Sequence, residues 1–95
     1  MTPATLEKLA AFLAGSYFYS VHKGKLGSWE RDGFHEASDN DLFCALLDRC
    51  AEKGLEPVLE FHTADCWFVR LWKSNRSAFG TTPLAALAAA IEGMT

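Results

Sequence analysis

The stretch from residue 56 to residue 92, EPVLEFHTADCWFVRLWKSNRSAFGTTPLAALAAAIE, decides the fold of this chain. Two runs rich in β-branched and aromatic residues, 56–62 and 66–73, predict the two strands of a hairpin. If residues 63–65 form a three-residue turn, the strand alternation places five apolar side chains on one face. These are Leu59, Phe61, Trp67, Val69 and Leu71. A turn one residue longer would scatter them over both faces, so the shorter turn is favoured.

Capping residues predict three helices around this hairpin. The first begins after Thr2 and ends at Gly15, and the second begins after Ser38 and ends at Gly54. The third begins after Thr82, and its many alanines allow it to pack close against the sheet. The apolar stripe predicted to be buried on the second helix contains Leu42, Phe43, Leu46, Leu47 and Cys50.

The segment between the first two helices gives weaker signals. Residues 16–23 are aromatic and β-branched and predict a strand, residues 24–27 predict a turn, and an extended segment is expected around Trp29. A chain of 95 residues buries only about 60% of its unfolded surface and has no room for a second core. We therefore expect one α+β domain over residues 1–95, with helices packed on a small antiparallel sheet of three to four strands.

Charge and cysteine content narrow the classes of function. Nine Lys and Arg residues against twelve Asp and Glu residues give a net charge of −3, the wrong sign for a protein whose main partner is nucleic acid. Three cysteines, an odd number, favour a reducing cytoplasm over a disulfide framework. No apolar run approaches the about 20 residues of a membrane span, and the first residues lack a signal-peptide pattern. We expect a cytoplasmic protein that binds neither nucleic acid directly nor membranes.

Several landmarks of the chain follow one another in an unusual order. They are Trp29, Ser38 with Asp39, Gly54, the strand that contains Trp67, and the run Thr82-Pro83-Leu84-Ala85-Ala86-Leu87. Over residues 29–92, this order resembles the small phage-encoded proteins grouped as the phage ABA sandwich domain. The resemblance implies a helix-sheet-helix sandwich and a phage or prophage origin. It implies no catalytic residues.

Catalytic and cofactor-binding motifs are absent from the sequence, including Gly-rich phosphate loops, zinc-binding helix motifs and paired cysteines. The three-residue turn makes His62 and Cys66 cross-strand neighbours close to Asp65, but no nearby pair completes the four ligands of a structural zinc. Cys44 or Cys66 with any of the three histidines could form a nucleophile and base, but no spacing selects a pair. We expect no enzyme, no cofactor and no metal, and the alternative is a site assembled only in three dimensions.

The segment from residue 30 to residue 41 supports a specific hypothesis about binding. It carries five carboxylates, those of Glu30, Asp32, Glu36, Asp39 and Asp41. Together with Trp29 and Phe34, they suit docking on a basic protein surface, such as the nucleic-acid-binding groove of a partner. The competing explanation is a solvated loop whose last two aspartates favour the start of the second helix, and it is favoured because helix N-termini attract acids without any partner.

The second face of the hairpin has a mixed composition. It contains Val58, Glu60, His62, Cys66, Phe68, Arg70 and Trp72. If helices cover this face, Phe68 and Trp72 belong to the core and Arg70 can pair diagonally with Glu60. If the face is open, Trp72 and Arg70 are the residue types that dominate protein interfaces. The resemblance to the sandwich domain favours the first alternative, in which helices cover this face.

These observations together predict a non-enzymatic protein that occludes a surface of a host or phage protein. The most specific version is a phage-encoded inhibitor of a bacterial host defence system, similar in manner to anti-CRISPR proteins. The acidic segment predicts a partner with a basic surface. The alternatives are a phage accessory protein that self-associates as a homodimer and supports replication or regulation, and the small enzyme or metal protein described above.

Overall fold

A computed structural model describes residues 1–94 of the chain. These residues form three α-helices and two antiparallel sheets of three strands each, which confirms the α+β class. The helices are α1 (Pro3–Phe12), α2 (Asp39–Glu52) and α3 (Pro83–Glu92). The first sheet contains β1 (Phe18–Ser20), β2 (Lys25–Glu30) and β3 (Gly33–Glu36) in that order. The second sheet contains β4 (Pro57–Thr63), β5 (Cys66–Leu71) and β6 (Arg76–Gly80), also in that order.

The helix boundaries follow the predicted capping chemistry. The side chains of Thr2, Ser38 and Thr82 each accept a hydrogen bond from the backbone N–H three residues further on, at 3.1 to 3.2 Å. Each bond satisfies one of the N–H groups that a helix start leaves without an intrahelical partner. Gly54 follows α2 with a φ of +68°, a left-handed conformation that glycine adopts without steric strain. The predicted helix starts and the stop after α2 are therefore confirmed.

The β4–β5 hairpin has the predicted register along most of its length. Leu59 lies opposite Val69 and Phe61 lies opposite Trp67, so the predicted apolar side chains do share one face. The tip differs from the prediction, because the register shifts between Phe61 and Thr63 and places Thr63 opposite Cys66. The predicted pairing of His62 with Cys66 is therefore wrong, since one extra residue in β4 forms a bulge and shortens the turn.

The strand β5 is shorter than the sequence predicts. It stops at Leu71, and Trp72–Ser74 form a 3₁₀ turn that leads through Asn75 into β6. Asn75 adopts a left-handed conformation, with φ +55°, that reverses the chain. The sequence does not predict β6, because its Arg, Ser, Ala and Gly residues give little strand signal of their own.

The core lies where α3 packs on one face of the second sheet. Val69 and Leu71 on β5 are 2% and 0% exposed, and Leu87 and Ile91 on α3 are both 0% exposed. The helix approaches β6 so closely that a Cβ on Gly80 would lie 2.3 Å from the backbone nitrogen of Ala86. Both α1 and α2 contact α3. Their contributions to this core are Leu9 and Phe12 from α1, Leu13 directly after it, and Leu42, Leu46 and Cys50 from α2.

The structure of residues 16–41 corrects three predictions. The strand predicted over residues 16–23 is only three residues long, and the turn predicted at residues 24–27 is wrong because Lys25, Leu26 and Gly27 belong to β2. Gly27 marks a close contact between strands, since a Cβ there would lie 2.2 Å from the carbonyl oxygen of His35. The segment from residue 30 to residue 41 is likewise no loop, because it contains β3 and the first turn of α2.

Candidate protein-binding surface

The second sheet has one face that α3 covers at β5 and β6, with its β4 side left exposed, and a second face that is exposed. Side chains alternate along β5, so that Val69 and Leu71 point into the core while Phe68 and Arg70 point the other way. Phe79 of β6 lies opposite Phe68 and is 60% exposed. We call the outward surface the open face; it consists of His62, Phe68, Arg70, Trp72 and Phe79. Of the two alternatives that the sequence left for this face, the structure has the exposed one.

Aromatic rings cross the open face from β4 to β6. The ring centroids of Phe68 and Phe79 are 4.7 Å apart, and the imidazole of His62 lies 5.5 Å from the ring of Phe79. Because the bulge at the hairpin tip frees His62 from regular pairing, its ring can lie over the neighbouring strands instead of beside Cys66. Ring pairs at these separations stabilise each other, so the side chains form an ordered surface.

The guanidinium of Arg70 lies between two aromatic rings. Its central carbon is 4.7 Å from the ring centroid of Trp72 and 5.5 Å from that of Phe68, both within the range of cation–π attraction. Trp72 is 55% exposed, so the stack is open to solvent on one side. Within residues 1–94 no carboxylate lies within ion-pair distance of Arg70, and the diagonal pair with Glu60 does not form.

The five carboxylates of the acidic segment do not form one cluster of unpaired charge. Glu36 pairs with Lys25 at 3.0 Å, and Asp32 lies 2.6 Å from the imidazole of His35. Glu30 accepts a 3.4 Å hydrogen bond from a neighbouring serine hydroxyl, and Asp39 and Asp41 occupy the first turn of α2. Local partners or the helix start thus account for all five.

The aromatic candidates of the acidic segment meet on the outer face of the first sheet. Trp29 lies opposite Phe34 across β2 and β3, and their rings make an edge-on contact with centroids 5.2 Å apart. Trp29 is 61% exposed, and Phe18 on β1 is 51% exposed on the same face. The nine residues predicted to bind a partner therefore fall into two groups, with only Arg70 and Trp72 on the second sheet.

An apolar groove lies between α2 and β4. It has a volume of about 220 Å³ and is lined by Phe43, Leu47, Pro57, Val58, Leu59, Val69 and Leu87. Phe43 and Leu47, which the sequence predicts to be buried, are only half-buried here. The strand β4 forms an edge of its sheet, and its residues from Val58 onward are exposed. This edge offers unpaired backbone groups as well as apolar side chains.

The cysteines and histidines have separate surroundings. Cys44 is exposed, Cys66 is half-buried, and burial raises the pKa of the Cys50 thiol to about 11, which keeps that thiol protonated. His62 packs against phenylalanine rings and His35 contacts Asp32. Among residues 1–94, no three His, Cys, Asp or Glu side chains are grouped so that they could hold a metal ion. No helix in that range has the length and apolar character needed to cross a lipid bilayer.

The aromatic residue that sequence reasoning missed is Phe79. Its strand follows a turn at Ser74-Asn75, and this turn is the one sequence signal that could have placed a third strand beside β5. Comparison of the chain with protein families, curated proteins and solved structures finds no match. The resemblance to the phage ABA sandwich domain therefore rests on the sequence landmarks.

Proposed function

We propose that this protein is a small non-catalytic binding domain that occludes a surface of a partner protein with its open face. The observation that supports the proposal is the exposure of Phe79 and Trp72, at 60% and 55%, around the stacked guanidinium of Arg70. Contiguous exposed apolar patches mark interaction sites, whereas single exposed apolar residues are ordinary surface. Tryptophan and arginine are also among the residue types that carry most binding energy at protein interfaces.

The open face is suited to binding because ordering its side chains on contact with a partner costs little free energy. Phe68 and Phe79 are already held by mutual ring contacts, and Arg70 is held between Phe68 and Trp72. A partner that covers them would immobilise few additional rotamers, and each immobilised side chain would otherwise cost about 0.5–1.5 kcal/mol. A rigid sheet with one core face and one exposed aromatic face can therefore bind without a preceding change of fold.

The biological setting of the proposal comes from the sequence. The resemblance to small phage proteins suggests a phage or prophage origin, a host or phage protein as the partner, and a bacterial cytoplasm as the compartment. Inhibition of a host defence system by occlusion is the most specific form of this proposal. Occlusion of this kind needs a stable exposed surface and no catalytic group, and the ordered aromatic side chains of the open face support it.

Self-association is a second candidate function, and the edge strand β4 favours it. Exposed apolar side chains on this edge, among them Phe61 at 63% exposure, could pair with another copy of the chain. Size-exclusion chromatography with light scattering separates the two candidates. A monomer at all concentrations supports the proposed function, whereas a dimer that Phe61→Lys abolishes supports self-association.

A capture experiment with two matched variants tests the proposed function. The tagged protein is used to capture partners from a bacterial lysate, beside one variant with Trp72→Ser and Phe79→Ser and another with Glu30→Lys, Asp32→Lys and Glu36→Lys. Circular dichroism first establishes that both variants are folded. We expect the partner to be lost by the open-face variant and retained by the acidic-segment variant. The opposite pattern would transfer the binding role to the first sheet and refute the proposal.

A further inference from the structure

We infer that the partner contacts the open face with an acidic segment, in which a carboxylate beside an aromatic or apolar side chain binds Arg70. This inference rests on the proposed function and specifies the chemistry of the partner. It reverses the sign of charge that the sequence predicts, because the acidic segment predicts a basic partner. The reason lies in the cations that are grouped around the stacked guanidinium of Arg70.

Four of the twelve carboxylates of this protein form salt bridges within residues 1–94, and one group of cations at the second sheet forms none. Salt bridges join Glu36 to Lys25, Asp32 to His35, Glu52 to Arg49 and Glu92 to Lys8. Within residues 1–94, no carboxylate lies within ion-pair distance of Arg70, Lys73 or Arg76. Glu60 and Asp65 are also outside these salt bridges, but they lie in β4 and in the hairpin turn, whereas the three cations are grouped around the 3₁₀ turn. The charge available to a partner at that end of the second sheet is positive.

These three cations lie at one end of the second sheet. Arg70 is near the end of β5, Lys73 is in the 3₁₀ turn, and Arg76 begins β6. The neighbouring acid is Glu56, whose backbone carbonyl accepts a hydrogen bond from the N–H of Trp72. With Glu60, which lies diagonally from Arg70, three cations stand against two carboxylates, so this end has a local excess of positive charge although the whole chain carries −3. An acidic surface is the complement of this local charge.

Arg70 also has the geometry to bind a carboxylate. Aromatic rings contact its guanidinium from Phe68 and Trp72, and such stacking leaves the N–H groups at its edge available as hydrogen-bond donors. Two of these donors can bind both oxygens of one carboxylate in a planar, charge-assisted pair. The rings on either side then contact whatever apolar group flanks that carboxylate. The expected partner motif is accordingly an Asp or Glu next to an aromatic or aliphatic residue.

A phosphate would satisfy the same donors, so single-stranded nucleic acid is the competing occupant. Its bases could stack on Phe68 and Phe79. Nucleic-acid binding, however, depends on attraction to many phosphates, and a protein with a net charge of −3 repels a polyanion at long range. An acidic protein segment needs only the local pair, and it is the occupant that the charge distribution favours.

Peptide display tests this inference with the purified chain and a library of random sequences. The library, displayed on yeast, is selected against the full chain, and the enriched peptides are synthesised and titrated by fluorescence anisotropy. Each peptide is measured against wild type, Arg70→Gln and the control Arg31→Gln, which removes an exposed arginine between β2 and β3. A thymidine oligonucleotide with the same label is titrated in parallel. The open-face variant with Trp72→Ser and Phe79→Ser completes the set.

The inference predicts peptides enriched in Asp or Glu beside aromatic residues. Their affinity should fall about tenfold or more in Arg70→Gln, because a charge-assisted pair is lost, and less than about twofold in Arg31→Gln. Peptides that depend on Trp72 and Phe79 but not on Arg70 would overturn the inference and leave the proposed function standing. Oligonucleotide binding that requires Arg70 at comparable affinity would replace the acidic partner with nucleic acid. Failure to select any peptide that depends on the open face would overturn both.

Discussion

Truncating one side chain on each face of the second sheet should give very different losses of stability. Leu71 lies on the core face and is 0% exposed, whereas Phe79 lies on the open face and is 60% exposed. Leu71→Ala removes a fully buried side chain and leaves a cavity, which we expect to lower the free energy of unfolding by about 3–4 kcal/mol. Phe79 has only about two-fifths of its surface buried. A fully buried Phe→Ala change costs about 3–5 kcal/mol, and scaling this value by the buried fraction gives a loss of about 1–2 kcal/mol for Phe79→Ala.

Urea denaturation followed by circular dichroism measures both losses. The dependence of the unfolding free energy on urea concentration should be the same in wild type and both variants, because the surface exposed on unfolding changes little. A loss of about 3 kcal/mol or more for Phe79→Ala would refute the reasoning, since it would mean that this face is covered. Repeating the urea titration at several protein concentrations shows whether a second copy of the chain covers this face, because only then would the loss of stability depend on concentration.

Three further predictions concern the packing of the chain. Gly80→Ala should lower the free energy of unfolding by about 2 kcal/mol or more, because the new Cβ would lie 2.3 Å from the backbone nitrogen of Ala86. The control Gly93→Ala should be tolerated, since the nearest atom to its new Cβ is 3.5 Å away. Thermal melts of the two variants test this difference. Thr82→Ala should lose about 1 kcal/mol in the same assay, because the cap of α3 is removed. Burial raises the pKa of Cys50 from 9.0 to about 11, so the thiol of the unfolded chain loses its proton at a lower pH than the thiol of the folded chain. This thiol should therefore leave the free energy of unfolding unchanged below pH 9.0 and lower it between pH 9.0 and 11. Urea titrations across this pH range should show a shallower fall in Cys50→Ala than in wild type.

The parts of the fold that could be predicted from the sequence are those with local signals. Helix starts were predictable because the hydroxyl of a capping residue accepts a hydrogen bond from a backbone N–H only three residues away, as at Ser38 and Thr82. The register of β4 with β5 was predictable because a shift by one residue would scatter the apolar side chains of the hairpin over both faces. The hairpin tip was not predictable, since a bulge at His62 changes the turn without changing that face.

The candidate binding surface depended on tertiary structure to a greater degree. Arg70 and Trp72 could be singled out by residue type, but their exposure depends on which face α3 covers. Phe79 could not be placed, because β6 is defined by pairing with β5 and has a weak pattern of its own. The salt bridge between Glu36 and Lys25 could not be predicted either. The glycines around Lys25 indicate a turn in the sequence, whereas in the folded chain Lys25 begins the strand that pairs with β3.

Hydroxyl-radical footprinting of the captured complex tests most directly whether the open face is the contact surface. Oxidation of exposed aromatic side chains is measured by mass spectrometry in the free chain and in the complex. We predict that Trp72 and Phe79, both more than half exposed in the free chain, become protected severalfold, while oxidation of Trp29 stays the same. Protection of Trp29 with unchanged oxidation of Trp72 and Phe79 would contradict the account.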